Sequence, residues 1–127
     1  VYMMRKQREM NMKYKIFQIQ LTDAEVAMIN ANGHASVPKQ KLRLNISMSF
    51  GEPIGGLVKE AIAADYYTHV GNITANDLED VFNVGNIGPE ENIERLDRMS
   101  SLSVGDVVED EHGVRHVVAS FGFEEIA

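Results

Sequence analysis

The sequence predicts a small α+β domain with a mainly antiparallel sheet, three to four short helices and a C-terminal β-hairpin. Three observations support this. A chain of 127 residues with 44% hydrophobic residues is large enough for one domain with an ordinary core. Segments of alternating apolar and polar residues, typical of strands, are interspersed with segments at helical spacing. Residues 101–123 contain two β-like stretches around the turn sequence Asp110-Glu111-His112-Gly113, which indicates a hairpin.

The first strand is predicted at residues 13–21, where Phe17, Ile19 and Leu21 alternate with glutamines. We expect it to be half-buried, with the glutamines on the open face. Residues 1–12 show no such period and are predicted to form an N-terminal extension, disordered or helical. The domain itself is therefore placed at residues 13–127.

Helix and strand signals follow in turn along the middle of the chain. Thr22 with Glu25 three residues later is a capping-box signature, which predicts a helix that ends at Gly33. Four apolar residues alternate with polar ones over residues 42–48, which predicts a second strand. A small helix to about Ala64 and a strand over residues 66–73 come next.

Two further helices are predicted before the hairpin. Thr74 or Asn76 caps the first, which ends near Gly85 and buries a stripe of Leu78, Val81 and Phe82. The second begins at Gly88-Pro89, since proline suits the first helical position, and turns Ile93 and Leu96 inward. In the hairpin, the apolar residues of both strands, including Phe121, are expected to meet across the turn.

Charge and composition narrow the classes of function. Residues 1–43 hold eight Lys or Arg against three acids, and residues 44–127 hold four against sixteen. The acidic two-thirds would repel a phosphate backbone, which argues against a general nucleic-acid-binding protein. The sequence holds no cysteine and no apolar run near the roughly 20 residues of a membrane span. We expect a soluble, cytoplasmic protein with no membrane partner.

The candidate chemical groups are few. His69 follows two tyrosines on a predicted strand, and His116 follows the hairpin turn, where Asp106 or Asp110 could join it in an acid–base or metal site. Neither the histidine spacing nor the acidic residues 106–111 match a known ligand motif, so we predict no metal and no cofactor. No serine lies in a nucleophile elbow, and the catalytic residues stay unknown.

The C-terminal pattern carries a resemblance to a known family. Ser101-Leu102-Ser103-Val104-Gly105-Asp106-Val107-Val108, a short gap and Val117-Val118-Ala119-Ser120-Phe121-Gly122-Phe123 resemble the closing signature of the YodL-like domain family. Tyr14-x-Ile16-Phe17-Gln18-Ile19, then Tyr67 and Leu78-Glu79-x-x-Phe82, are similar to its other landmarks, in the same order. The resemblance implies an uncharacterised protein of phages or mobile elements, similar to proteins of marine cyanophages. It implies no catalytic residues.

The leading hypothesis is therefore a non-enzymatic accessory protein that binds a host or phage protein through an acidic, partly aromatic surface. The residues proposed for this surface are Tyr67, His69, Asp106, His116 and Ser120. One alternative is a small enzyme or ligand-binding domain that uses His69 or His116. Another is a PUA-like RNA-binding module, which the Val-Gly-Asp-Val-Val strand pattern resembles, acting through the basic residues 5–15 and 39–43.

Overall fold

The computed structural model describes residues 12–49 and 51–126. These ranges form a mixed α+β domain with four helices and a six-stranded antiparallel sheet, as predicted. The elements are β1 (Met12–Ile19), α1 (Asp23–Asn32), α2 (Pro38–Ser47), α3 (Gly55–Ala63), β2 (Tyr67–Ala75), α4 (Leu78–Asn86), β3 (Ile93–Arg95), β4 (Val107–Glu109), β5 (Arg115–Val118) and β6 (Phe123–Ile126). Short 3-10 turns lie at His34–Ser36 and Glu90–Asn92.

The sheet has the strand order β3-β2-β1-β4-β5-β6. Strand β1 lies between β2 and β4 and is antiparallel to both. A register shift between Ile16 and Phe17 interrupts its pairing with β2. The predicted hairpin is confirmed as β4 and β5, joined at Asp110, whose Oδ1 accepts hydrogen bonds from the N–H groups of His112 and Val114.

Each face of the sheet carries its own part of the core. The α4 face holds Tyr14, Ile16, Ile73 and Val108, which form one apolar cluster with Val81 and Val84 of α4. The α2–α3 face holds Ile19, Val107 and Val117, which form a second cluster with Leu42, Ile46, Val58 and Ala61. Gln18, in the central strand β1, is buried between these elements as well.

The two predicted ends of α1 are confirmed. The Thr22 hydroxyl accepts a hydrogen bond from the Glu25 N–H at 3.1 Å, and the Glu25 carboxylate accepts one from the Thr22 N–H at 2.8 Å. Gly33 ends the helix with a φ of 91°. Both helix ends are therefore set by residues that the sequence identifies.

The predicted second strand at residues 42–48 is wrong, because this segment belongs to α2. Pro38 lies at the start of the helix, where its missing N–H costs no hydrogen bond. Leu42 and Ile46 are four residues apart, so they share one helix face and are both buried. In a strand Met48 would share that face, but it is 58% exposed, so the burial pattern is helical and not alternating.

The predicted helix after Gly88 is also wrong. A three-residue 3-10 turn follows Pro89, and the chain then forms the edge strand β3, in which Ile93 pairs with Ile73. Leu96, expected to face inward, is 53% exposed. The pairing with β2 joins residues about twenty positions apart, and local sequence signals do not report such contacts.

The predicted cap of α4 and two predictions about phenylalanines are wrong as well. Helix α4 is capped by Asp77, not by Thr74 or Asn76. It buries Val81 and Val84, while Phe82, expected in the buried stripe, is 38% exposed. Phe121, expected to pack in the hairpin, lies in the turn before β6 and is 91% exposed. Aromatic side chains that the sequence places in the core thus lie on the surface.

Strand β1 differs from its prediction at two points. It ends at Ile19, so Leu21, expected on its buried face, lies outside it. Gln18, expected on an open face, is only 3% exposed. The N-terminal extension predicted for residues 1–12 lies outside the described residues, apart from Met12, with which β1 begins.

Candidate functional site

Asp106 is a buried carboxylate at the turn that leads into β4. Its side chain is 9% exposed, and its Oδ2 accepts hydrogen bonds from the Ser103 N–H and from Gln18 Nε2, both at 3.0 Å. Burial disfavours the charged form and raises the pKa of Asp106 to about 6, although these two hydrogen bonds and the charge of Arg43 act in the opposite direction. The protein thus keeps a carboxylate where its charge is costly.

Gln18 connects this carboxylate to the segment before it. Its Nε2 donates to the Ser100 carbonyl at 2.9 Å as well as to Asp106, and its Oε1 accepts from the Ser100 N–H at 3.1 Å and from the Ser100 hydroxyl at 3.3 Å. All the hydrogen-bonding capacity of the amide is used, which satisfies a polar side chain that is only 3% exposed. This network holds the segment before β4 against the end of β1.

Tyr67, another of the predicted surface residues, lies close to the same turn. Its hydroxyl donates a hydrogen bond to the Gly105 carbonyl at 2.6 Å. Burial, with a smaller contribution from the charge of Asp106, raises the pKa of Tyr67 above its ordinary value. The Tyr67 hydroxyl therefore keeps its proton at neutral pH and donates a hydrogen bond to the turn.

His69 and His116 lie on opposite faces of the sheet. His69 pairs with Phe17, and the row continues through Val107 to Val117. His116 is the residue before Val117, so its side chain points to the other face. The structure therefore does not bring the two histidines into one site.

Each histidine has its own partner. The ring of His69 stacks on Phe17 with centroids 5.0 Å apart, and its Nε2 is 2.9 Å from Asn72 Oδ1. His116 Nε2 is 3.2 Å from Asp110 Oδ2, in the contact that the sequence suggested. Among residues 12–49 and 51–126, no group of three His, Asp or Glu side chains is arranged to hold a metal ion.

Asp110 forms several hydrogen bonds in the hairpin turn. Burial, the largest single influence, acts to raise the pKa of its carboxyl. The N–H groups of Val114 and His112 and the side chain of His116 together outweigh it, and the pKa lies below the ordinary value. The charged form of Asp110 is thus part of the turn, which supports a structural role for this contact.

Ser120 lies on a groove between α4 and the β5–β6 turn. The groove has a volume of about 450 Å³, and it is lined by Glu79, Phe82, Asn83, Val118, Ala119, Ser120, Gly122 and Phe123. None of these side chains is basic, and Phe121, 91% exposed, stands in the same turn. We call this surface the aromatic groove.

A second cavity, which we call the α2 cleft, lies between α2 and the segment before β4. Its volume is about 350 Å³, and its polar lining consists of Gln18, Gln40, Arg43, Ser47, Ser100, Ser103 and Asp106. A wider depression of about 500 Å³ shares Gln18, Arg43 and Ser100 with it. The sequence identified only Asp106 among these groups, because the period-2 alternation of β1 placed Gln18 on an open face.

Comparisons with known proteins do not place this fold in a family. No family model matches the chain, and neither the curated proteins nor the solved structures include one that is significantly similar to it. The relation to the YodL-like family stays a prediction. Among the described residues, no helix has the length and apolar character that crossing a membrane requires.

Proposed function

We propose that this protein is a non-enzymatic accessory protein, of the kind found in phages and mobile elements, that binds another protein through the aromatic groove. The observation that carries the proposal is the groove itself, in which Phe82 is 38% exposed and Phe123 forms part of the lining. Phe121, 91% exposed, lies between two lining residues in the turn that borders it. Exposed aromatic clusters are uncommon on surfaces that bind nothing, and aromatic side chains dominate the binding energy of protein interfaces.

The charge around the groove indicates the chemistry of the partner. Glu79 lines the groove, and Glu125, which pairs with His116 in the register of β5 and β6, is exposed on the same face. The lining contains no basic side chain. A segment that presents an apolar side chain flanked by Lys or Arg fits this combination of rings and carboxylates.

Two alternatives rest on other observations. A small enzyme or ligand-binding domain would use His69 or His116, and the contacts of both rings with Asn72 and Asp110 support a structural role instead. A PUA-like RNA-binding module would use the basic residues 5–15 and 39–43, of which Lys39 already pairs with Glu25 at 2.9 Å. Protein binding is the function that the surface supports best.

The groove can be tested with two substitutions that leave the core untouched. Phe121→Ser removes the exposed ring, and Glu79→Lys reverses a charge on an exposed position of α4. We expect each to lower capture of the specific partner from host lysate by about tenfold, measured by quantitative mass spectrometry after affinity purification.

Two matched control variants make the same kinds of change at exposed positions outside the groove. Leu96→Ser removes a 53% exposed apolar side chain beyond β3, and Glu60→Lys reverses an exposed charge on α3. Both controls are expected to retain the partner. Equal capture by wild type, groove variants and controls, or no protein above background in any sample, would contradict the proposal.

A further inference from the structure

The α2 cleft contains a negative charge that no neighbouring cation neutralises. Both hydrogen bonds to the Asp106 carboxylate end on Oδ2, and Oδ1 accepts none from the described residues. No Lys, Arg or His side chain of residues 12–49 and 51–126 lies within 4.0 Å of this carboxylate. A buried charge is normally paired, because removing it from water is costly.

The exposed guanidinium of Arg43 lines the same cleft and has no carboxylate partner among the described residues. Arg43 is exposed on α2 and forms no ion pair within the described part of the chain, although it lines both the cleft and the wider depression beside it. The charge of Arg43 acts to lower the pKa of Asp106, but the two side chains do not form an ion pair. The cleft thus has an unpaired anion inside and an unpaired cation at the rim.

The cleft wall holds one more unsatisfied group. Gln40 is 7% exposed, its Nε2 is 3.2 Å from His34 Nδ1, and its buried Oε1 has no donor among the described residues. Unsatisfied buried acceptors are rare in folded proteins. Gln40, with this unsatisfied oxygen, and Asp106, with an oxygen that accepts no hydrogen bond from the described residues, both line the α2 cleft.

We infer that the α2 cleft binds a small zwitterion of the amino-acid class, with its ammonium group on Asp106 Oδ1 and its carboxylate on Arg43. An ammonium is a compact donor that suits a single free oxygen, whereas a guanidinium prefers two. A volume of about 350 Å³ is in the range of small-molecule sites. This site is separate from the aromatic groove, so it does not depend on the proposed protein binding.

A series of ω-amino acids tests both contacts. Glycine, β-alanine, 4-aminobutyrate and 6-aminohexanoate separate the two charges by increasing distances, and each is titrated into the ¹⁵N-labelled protein. We expect one member to produce saturable shifts of the backbone amides of Arg43, Ser100, Ser103 and Gly105. The amine and the carboxylate that match that member, each lacking one charge, are expected to bind at least about tenfold more weakly.

Variants assign the contacts. Asp106→Asn keeps the shape and the acceptor oxygen but removes the charge, and it is expected to abolish the shifts. Arg43→Gln is expected to remove the preference for the zwitterion over the plain amine. Asp65→Asn, at an exposed position outside the cleft, is the matched control and is expected to bind like wild type. Absence of shifts with every member at millimolar concentrations, or unchanged binding by Asp106→Asn, would overturn the inference.

Discussion

Asp106→Asn is expected to make the protein more stable at pH 7.5, by about 2 kcal/mol. The folded state raises the pKa of this carboxyl from 3.8 to about 6, which corresponds to about 1.4 kcal/mol for each pKa unit. Both of its hydrogen bonds end on Oδ2, so the single oxygen of asparagine can accept them. The expected gain in stability is smaller than the free energy that corresponds to the full pKa shift, because the new amide N–H group is itself buried. Urea denaturation at pH 7.5 measures it.

The stability of the protein is expected to depend on pH through the same carboxyl group. Because the folded protein binds the Asp106 proton more tightly than the unfolded chain, the contribution of this residue to stability is highest below about pH 4 and falls as the pH rises to about 6. Asp106→Asn is expected to lose this fall, so that its advantage disappears at low pH, while Asp65→Asn should follow wild type throughout. A variant less stable than wild type at pH 7.5 would show that Arg43 and the hydrogen bonds stabilise the charge more than burial opposes it.

A carboxylate whose removal stabilises the fold at neutral pH, the result expected for Asp106, is typical of a site that uses the charge. Proteins commonly keep such groups where a ligand or a reaction requires them, at the expense of stability. Removal of the Asp106 charge therefore has two expected results that oppose one another, a gain in stability and a loss of ligand binding. A purely structural carboxylate would not connect the two.

Signals within a few residues predict most of the local structure. The capping box at Thr22 and Glu25, the glycine at position 33 and the turn at residues 110–113 all specify their conformations through neighbours in sequence. Each of these predictions is confirmed, because the hydrogen bonds concerned join residues at most four positions apart.

The wrong predictions lie where contacts between residues far apart in sequence determine whether a segment is a helix or a strand. Alternation over residues 42–48 fits a strand that would bury Met48 on the same face as Leu42 and Ile46. Instead Leu42 and Ile46 pack against the α2–α3 face while Met48 is 58% exposed, as helical spacing requires. Ile93 becomes part of a strand because β2 offers it an edge. Tertiary packing overrides local preference at both places.

The candidate site shows the same division. Asp106 can be predicted from its turn, since its carboxylate accepts a hydrogen bond from Ser103 three residues earlier. Its contact with Gln18 spans 88 positions, and Arg43 approaches it from a segment expected to be a strand. The cleft therefore becomes visible only when β1, α2 and the segment before β4 are placed together.

Gly105→Ala is expected to destabilise the protein by about 3 kcal/mol, through two effects that act together. Gly105 has a φ of +96°, a conformation that residues with a Cβ rarely adopt. A Cβ at this position would also lie 2.5 Å from Cγ2 of Ile46, a branched side chain that is 2% exposed and has little room to move. Urea denaturation at neutral pH measures the loss.

Gly33→Ala separates the two effects. Gly33 has a nearly equal φ of +91°, but a Cβ there would meet nothing within 4 Å, so this variant is expected to lose only the backbone part, about 1 to 2 kcal/mol. In the double variant Gly105→Ala with Ile46→Ala, the clash is gone, and the combined loss should be smaller than the sum of the single losses. Additive losses would mean that the close approach of α2 to Gly105 contributes nothing, and that the glycine is needed for its backbone conformation alone.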